Sequence, residues 1–289
     1  MRWLAAVEHL RARREYGVLV TVISVRGHAP RDVGAKMVVA CDASWDTIGG
    51  GNLEATAVER ARAMLAGMQA AAEVDAGRHA PVPPPETLTS SLSEHAPTAH
   101  GVQCCGGEVT LLLEPLPVVP AVAIFGMGHV GQELARILAR QDLDLHLVDT
   151  REGRLTEEAL TPLADAGSRV HPHAIPVLPE LVLATLPRGA HVLVMTHDHA
   201  EDAAIVDAAL RTPGLATVGL IGSSAKWARL RRRLLDAGLT EEDLARVVTP
   251  IGLPGLAVGG AAKDPAAIAV SVAADLLLRF TGTGARVAR

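Results

Sequence analysis

The chain has 289 residues, enough for about two domains at ~150 residues each. Hydrophobic residues make up 49% and charged ones 20%, which excludes wholesale disorder. A net charge of −5 and only 2% aromatics argue against a protein that grips nucleic acid, which needs a basic surface and stacking rings. No apolar run reaches the ~18 residues that span a bilayer. No secretory leader is visible, and three cysteines, two of them adjacent, make a poor disulfide framework. The expectation is a soluble protein of the reducing cytoplasm, with neither nucleic acid nor membrane as a partner.

In chain order, residues 3–14 read as an amphipathic helix, with Trp3, Leu4, Val7 and Leu10 on one face. Val18 to Val25 is β-branched and apolar and reads as a buried strand. A loop from Arg26 to Lys36 follows, then a strand over Met37 to Ala40, and a Gly49-Gly50-Gly51 turn that opens a helix ending near Leu65. Residues 76–100 carry Pro81, Pro83, Pro84 and Pro85 and a Ser/Thr cluster, and read as a loop or mobile excursion. Gln103-Cys104-Cys105-Gly106-Gly107 leads into a strand over Glu108 to Glu114. Pro115, Pro117 and Pro120 then mark a linker, so the expected domains are 1–115 and 116–289.

The second half alternates. Strands are predicted at 121–125, 144–149, 168–171, 190–195 and 215–221, and helices at 129–140, 176–185, 200–210, 223–236 and 264–280. Alternating β and α implies a parallel sheet covered on both faces. The expected fold class is α/β: a C-terminal Rossmann-like parallel sheet with a smaller N-terminal α/β domain. Ligands of such sheets bind at the carboxyl ends of the strands. The segments after the strands, 126–131, 149–151, 196–199 and 222–226, should therefore share one rim.

Within that rim, Gly126-x-Gly128-x-x-Gly131 follows an apolar strand and opens a helix, and Asp149 ends the next strand 18 residues after Gly131. Glycines there let a phosphate approach the helix N-terminus, and an acid at that distance can accept from a ribose. A Rossmann domain that has lost its dinucleotide, or binds another phosphate, fits the same pattern. His197-Asp198-His199 with Glu201 and Asp202 has donors for a metal, with His171 and His173 as further candidates. The plainer reading is a helix start capped by Thr196 or Asp198. In the first half, Arg31, Lys36 and the turn at Gly50 form a second anion-friendly zone, or plain turn chemistry. Lysine occurs only at Lys36, Lys226 and Lys263, each in or beside a glycine-bearing segment. Cys104 and Cys105 are soft ligands whose side chains alternate faces in an extended segment, so one is expected to face a site and the other the core. Phosphate-loop, serine-hydrolase and zincin motifs are missing from the sequence.

Taken together, these motifs resemble the xanthine dehydrogenase accessory proteins, the XdhC/CoxI family. The resemblance runs over Gly27 to Met37, Thr47 to Glu54, Cys105-Gly106-Gly107 and Phe125 to Gly131. It continues over Val148 to Glu152, Met195 to His199, Gly219 to Ser223, Lys226, Pro250 to Leu253 and Lys263 to Val272. His28 departs from the family, where many members carry serine, and the Cys104–Cys105 doublet is not universal.

The resemblance implies a homodimeric chaperone that binds the molybdenum cofactor. It would hold the cofactor while a cysteine desulfurase exchanges its terminal oxo ligand for sulfide, and then deliver it to apo xanthine dehydrogenase. On that reading Cys105 and then Cys104 lie near molybdenum, and Gly126, Gly128, Gly131 and Asp149 hold the phosphate or a nucleotide-like part. Arg31, Lys36, Lys226 and Lys263 contact anions. Binding would be shared between the small domain and the carboxyl edge of the sheet. The rival reading is an NAD(P)-dependent oxidoreductase in which His197 and His199 bind a metal or act as acid and base.

Overall fold

A computed structural model describes residues 1–74, 82–92, 106–256 and 263–280. Among them one compact unit lies in Met1–Val74 and Ala80–Val119, and a second in Pro120–Arg289. Among the described residues no helix is long and apolar enough to cross a membrane.

The first unit is an antiparallel sheet with a helix on each face. Its strands are β1 (Gly17–Arg26), β2 (Lys36–Val39), β3 (Ser44–Asp46), β4 (Glu86–Ser91) and β5 (Glu108–Leu116), in the order β3-β2-β1-β5-β4. Strand side chains alternate between faces. Met37 and Val39 of β2 therefore join Val18, Val20, Val22, Leu111 and Leu113 beneath helix α2 (Gly51–Val74). Val38 and Ala40 point the other way, to Ala6 and Leu10 of helix α1 (Trp3–Arg13).

Two expectations change here. The helix predicted to end near Leu65 runs to Val74, because the alanine-rich stretch after Gly67 favours helix strongly enough to carry it on. Glu86–Ser91, predicted as loop, is the edge strand β4, in register with Leu113 to Glu108. The Pro83–Pro85 run precedes this strand rather than interrupting it, and Leu88 packs inward from an otherwise polar edge.

The second unit is a six-stranded parallel sheet with the order β11-β10-β9-β6-β7-β8. Its strands are β6 (Ala121–Phe125), β7 (Asp144–Asp149), β8 (Arg169–Ala174), β9 (His191–Val194), β10 (Thr217–Leu220) and β11 (Val247–Val248). Strands β6, β7 and β9 are buried along their whole length, as expected of a parallel sheet covered on both faces. Helices α3 (His129–Leu138) and α8 (Pro265–Phe280) cover one face, packing on Val122, Ile124, Leu145 and Leu147. Between them in sequence come the short helices α4 (Glu157–Leu160) and α7 (Glu241–Leu244) and the longer α5 (His199–Arg211) and α6 (Ser224–Asp236). Helices α5 and α6 cover the other face, on Ala121, Ala123 and Phe125.

This is the doubly wound Rossmann arrangement. Sequence order reverses between β6 and β9, and that switch point is where such sheets bind ligands. The helix predicted at 176–185 is only a 3-10 segment, Pro179–Thr185, entered through Leu178 at φ 57°. Pro176 and Pro179 deny it regular hydrogen bonding. Strand β11 and helices α4 and α7 are too short for periodicity to reveal.

Candidate functional site

The three glycines after β6 do different work. Gly126 has φ +106°, and a Cβ there would lie 2.4 Å from Met195 O, so the loop must cross the end of β9 closely. A Cβ on Gly131 would lie 2.2 Å from Gly126 O, so this glycine lets α3 approach the loop. Gly128 is different. It sits at the N-cap of α3 with φ −75° and ψ −168°, makes no side-chain cap, and a Cβ there meets nothing within 4 Å. Among the described residues no contact requires glycine at 128. Its missing side chain leaves open the space above the N–H groups that begin α3, where a phosphate is favoured.

Asp149, predicted to hold the phosphate or nucleotide-like part, is instead an internal brace. It is 3% exposed, and both carboxylate oxygens are occupied. Its Oδ2 accepts from Met127 N–H at 2.6 Å and from Arg151 Nη2 at 2.7 Å, while Oδ1 accepts from Arg151 N and Nε at 2.9 Å. Burial pushes this carboxyl up. The hydrogen bonds from Arg151 and Met127 outweigh burial and hold it below the ordinary carboxylate range. Asp149 thus fixes the glycine loop through Met127 and is already satisfied within the chain.

A second brace lies on one side of the switch point. Asp202, wholly buried on α5, accepts from Thr196 N at 3.1 Å and Thr196 Oγ1 at 2.8 Å through Oδ1. Its Oδ2 lies 2.5 Å from Lys226 Nζ, which also donates to Ile221 O at 2.9 Å. Lys226, expected as an anion contact, is committed to this buried pair. It ties the loops after β9 and β10 together.

Asp198 caps α5, accepting from Ala200 N and Glu201 N, and those N–H groups hold its carboxyl below the ordinary value. His197 and His199 flank this cap in solvent. Among the described residues no group of three or more His, Cys, Asp or Glu side chains is placed to hold a metal.

Glu201 is among the metal donors the sequence offers. In the structure it accepts from Thr150 Oγ1 at 3.3 Å, across from β7. Burial raises its pKa. The Thr150 hydrogen bond and His197 oppose this, while the carboxylates of Asp149 and Asp202 add to it. It keeps its proton to higher pH than an ordinary glutamate. No local signal could reveal this, because Thr150 and Glu201 are far apart in sequence.

In the first unit the glycine segments do converge. Gly107 packs where a Cβ would lie 2.2 Å from His28 O, and Gly49 lies where a Cβ would meet Pro30 at 2.4 Å. The anion-friendly turn is, however, already filled by an anion from the chain. Glu54 Oε2 accepts from Ile48 N at 3.2 Å, Gly50 N at 3.1 Å and the Thr47 hydroxyl. Lys36 Nζ donates to Thr21 Oγ1 at 2.9 Å and lies 5.5 Å from the Trp3 ring centroid. Arg31 and Lys263 are exposed. Cys104 and Cys105 lie outside the described residues.

The family model for the XdhC Rossmann domain matches residues 122–276, and that for the XdhC and CoxI family matches residues 10–75. Among curated relatives, the uncharacterized protein YqeB of Escherichia coli strain K12 is 26% identical over 260 residues, covering 90% of this chain. The chain spans only 42% of that relative's length. The molybdenum cofactor insertion chaperone PaoD of the same organism is 24% identical over 283 residues, covering 90% of this chain and 82% of PaoD. Among solved structures, a xanthine dehydrogenase from Bacillus halodurans aligns over 100% of this chain and 98% of its own, at 19% identity and a TM-score of 0.45. The Rossmann match alone covers more than half of the sequence, and the chain belongs to the XdhC/CoxI family.

Proposed function

We propose that this chain is a chaperone of the molybdenum cofactor. It holds the cofactor during exchange of the terminal oxo ligand for sulfide by a cysteine desulfurase partner, and then passes it to apo xanthine dehydrogenase. It acts in the cytoplasm as a homodimer and has no turnover of its own. The relative PaoD, similar along 90% of this chain, supports the cargo.

The observation that carries the reading is the contrast between Gly128 and Asp149. The phosphate position above α3 is open, while the acid that would take ribose hydroxyls has both oxygens engaged by Arg151 and Met127. That combination suits a ligand bound through a phosphate without a ribose contact. It disfavours NAD(P), whose ribose would have to displace a charge-assisted bidentate pair. Cys105 and Cys104 are proposed at the molybdenum end, as soft ligands for a soft metal. Arg31 and Lys263, both exposed, remain available for anions.

The test is anaerobic expression in a host that makes the cofactor, followed by assay for molybdenum and for pterin fluorescence after acid oxidation. The expected result is molybdenum and pterin in fixed ratio, lost in a Cys104→Ala/Cys105→Ala variant that still folds. A folded parent protein that carries neither, from a host with cofactor available, overturns the proposal.

A further inference from the structure

A cavity of about 700 Å³ opens at the carboxyl ends of β10 and β11, on the same rim as the glycine loop. This lies within the ~300–1,000 Å³ typical of small-molecule sites. Its walls are Ile221, Ile251, Leu253 and Ile268, from the two post-strand loops and α8. None of the described residues lining it is ionisable, so a charged group entering it would be desolvated without a counter-charge from them.

The wall is built in advance. Leu253 N–H donates to Ser271 Oγ at 2.9 Å, and Ser271 donates back to Leu253 O at 3.3 Å. Gly252, at φ +93°, lies where a Cβ would come 2.6 Å from Ser271 Oγ, so the loop is seated directly on α8. What remains for polar recognition is main chain of the 249–255 loop and the hydroxyls of Thr249 and Ser223.

Apolar faces with uncharged hydrogen-bonding edges complement a flat, neutral nitrogen heterocycle carrying amide-like donors and acceptors. We infer that this cavity takes the pterin ring of the cargo, while the phosphate lies over α3 at Gly128. This assignment deepens, and rests on, the chaperone reading. It divides the ligand by charge: the neutral ring goes to a site without ions, and the anion to the helix terminus.

The experiment titrates 6-hydroxymethylpterin, a phosphate-free pterin, against the full chain, following pterin emission. Parallel titrations use Leu253→Trp and Ile268→Trp, and NADH serves as competitor. Two pocket-filling variants on different elements guard against one failing to fold, and thermal melting checks both. The expected result is saturable quenching, weakened about tenfold or more in both folded pocket variants and not displaced by NADH.

Absence of pterin binding, or equal binding by the pocket variants, overturns the assignment. Displacement by NADH overturns it in favour of a nicotinamide ring. The two proposals fail separately. If the pocket variants still co-purify with molybdenum and pterin in full, the pocket assignment falls and the chaperone stands. Pterin binding by a protein that never acquires cofactor in a competent host leaves the pocket and removes the chaperone.

Discussion

The chain contains two glycine turns that each open a helix, and they have opposite fates. At Gly49–Gly51 the converging N–H groups are closed by the carboxylate of Glu54, one turn into α2. At Gly126–Gly131 the acid is Asp149, and it is drawn aside by Arg151, so that it braces the loop through Met127 and leaves the start of α3 open. A glycine turn before a helix makes a place for an anion. Whether that place is a binding site depends on whether the chain supplies the anion itself.

The largest effect is expected from the support beneath the open turn. Lys226→Met leaves Asp202 buried without its partner and should cost roughly 3–5 kcal/mol, read from denaturant unfolding. The double variant Asp202→Leu/Lys226→Met should recover part of that loss. A single variant as stable as the parent would show that the pair does not hold the rim.

Opening the closed turn comes next. Glu54→Ala strands the donors of Ile48, Gly50 and Thr47 and should cost about 1.5–3 kcal/mol. Added sulfate should then raise the melting temperature of this variant more than that of the parent. Equal sulfate responses would mean the turn offers no anion site even when emptied.

Within the open turn, neighbouring glycines should separate fold from binding. Gly131→Ala forces a Cβ onto Gly126 O and should lose about 1–3 kcal/mol. Gly128→Ala should stay within about 0.5 kcal/mol of the parent yet retain markedly less molybdenum and pterin on co-purification. Full retention by Gly128→Ala would close the phosphate position proposed here.

The smallest effect is expected on β7 and β8 and serves as a control. His146 Nδ1 and His173 Nε2 are 3.1 Å apart, with His171 stacked on His146 and 3.6 Å from Asp144. Burial, and then the charge of His171, lower His173 below the usual 6.5. The unfolded chain therefore takes up a proton that the folded chain resists. This contribution to stability is present above about pH 6.5 and is lost as pH falls from there toward the folded value. Unfolding midpoints at about pH 7.5 and 5.5 should differ less in His173→Gln than in the parent. Identical slopes would show that the imidazole cluster is not the titrating element.

Much of the molecule was legible in one sequence because its signals are local. Val122 to Phe125, the glycine spacing and the alternation of strands and helices announce a parallel sheet, and a carboxyl rim follows from that alone. The cap at Asp198 was legible for the same reason, since the N–H donors it accepts from, those of Ala200 and Glu201, lie two and three residues away. Strand β4 was hidden by the prolines beside it, and the 3-10 segment by an apolar composition that periodicity could not resolve.

Side-chain commitments were not legible. The sequence determined which residue types stand at the rim: three glycines, an aspartate, a lysine and a cluster of acids and histidines. Tertiary structure decided what each of them faces. Lys226 was spent on Asp202, 24 residues away in the chain, and Asp149 on Met127, 22 residues away. Glu201 gained its raised pKa from burial beside Thr150, 51 residues away. A charge in a sequence carries no record of its partner, because Coulomb pairing and desolvation act through space. Only the fold fixes which opposite charge arrives first and which position is left open for a ligand.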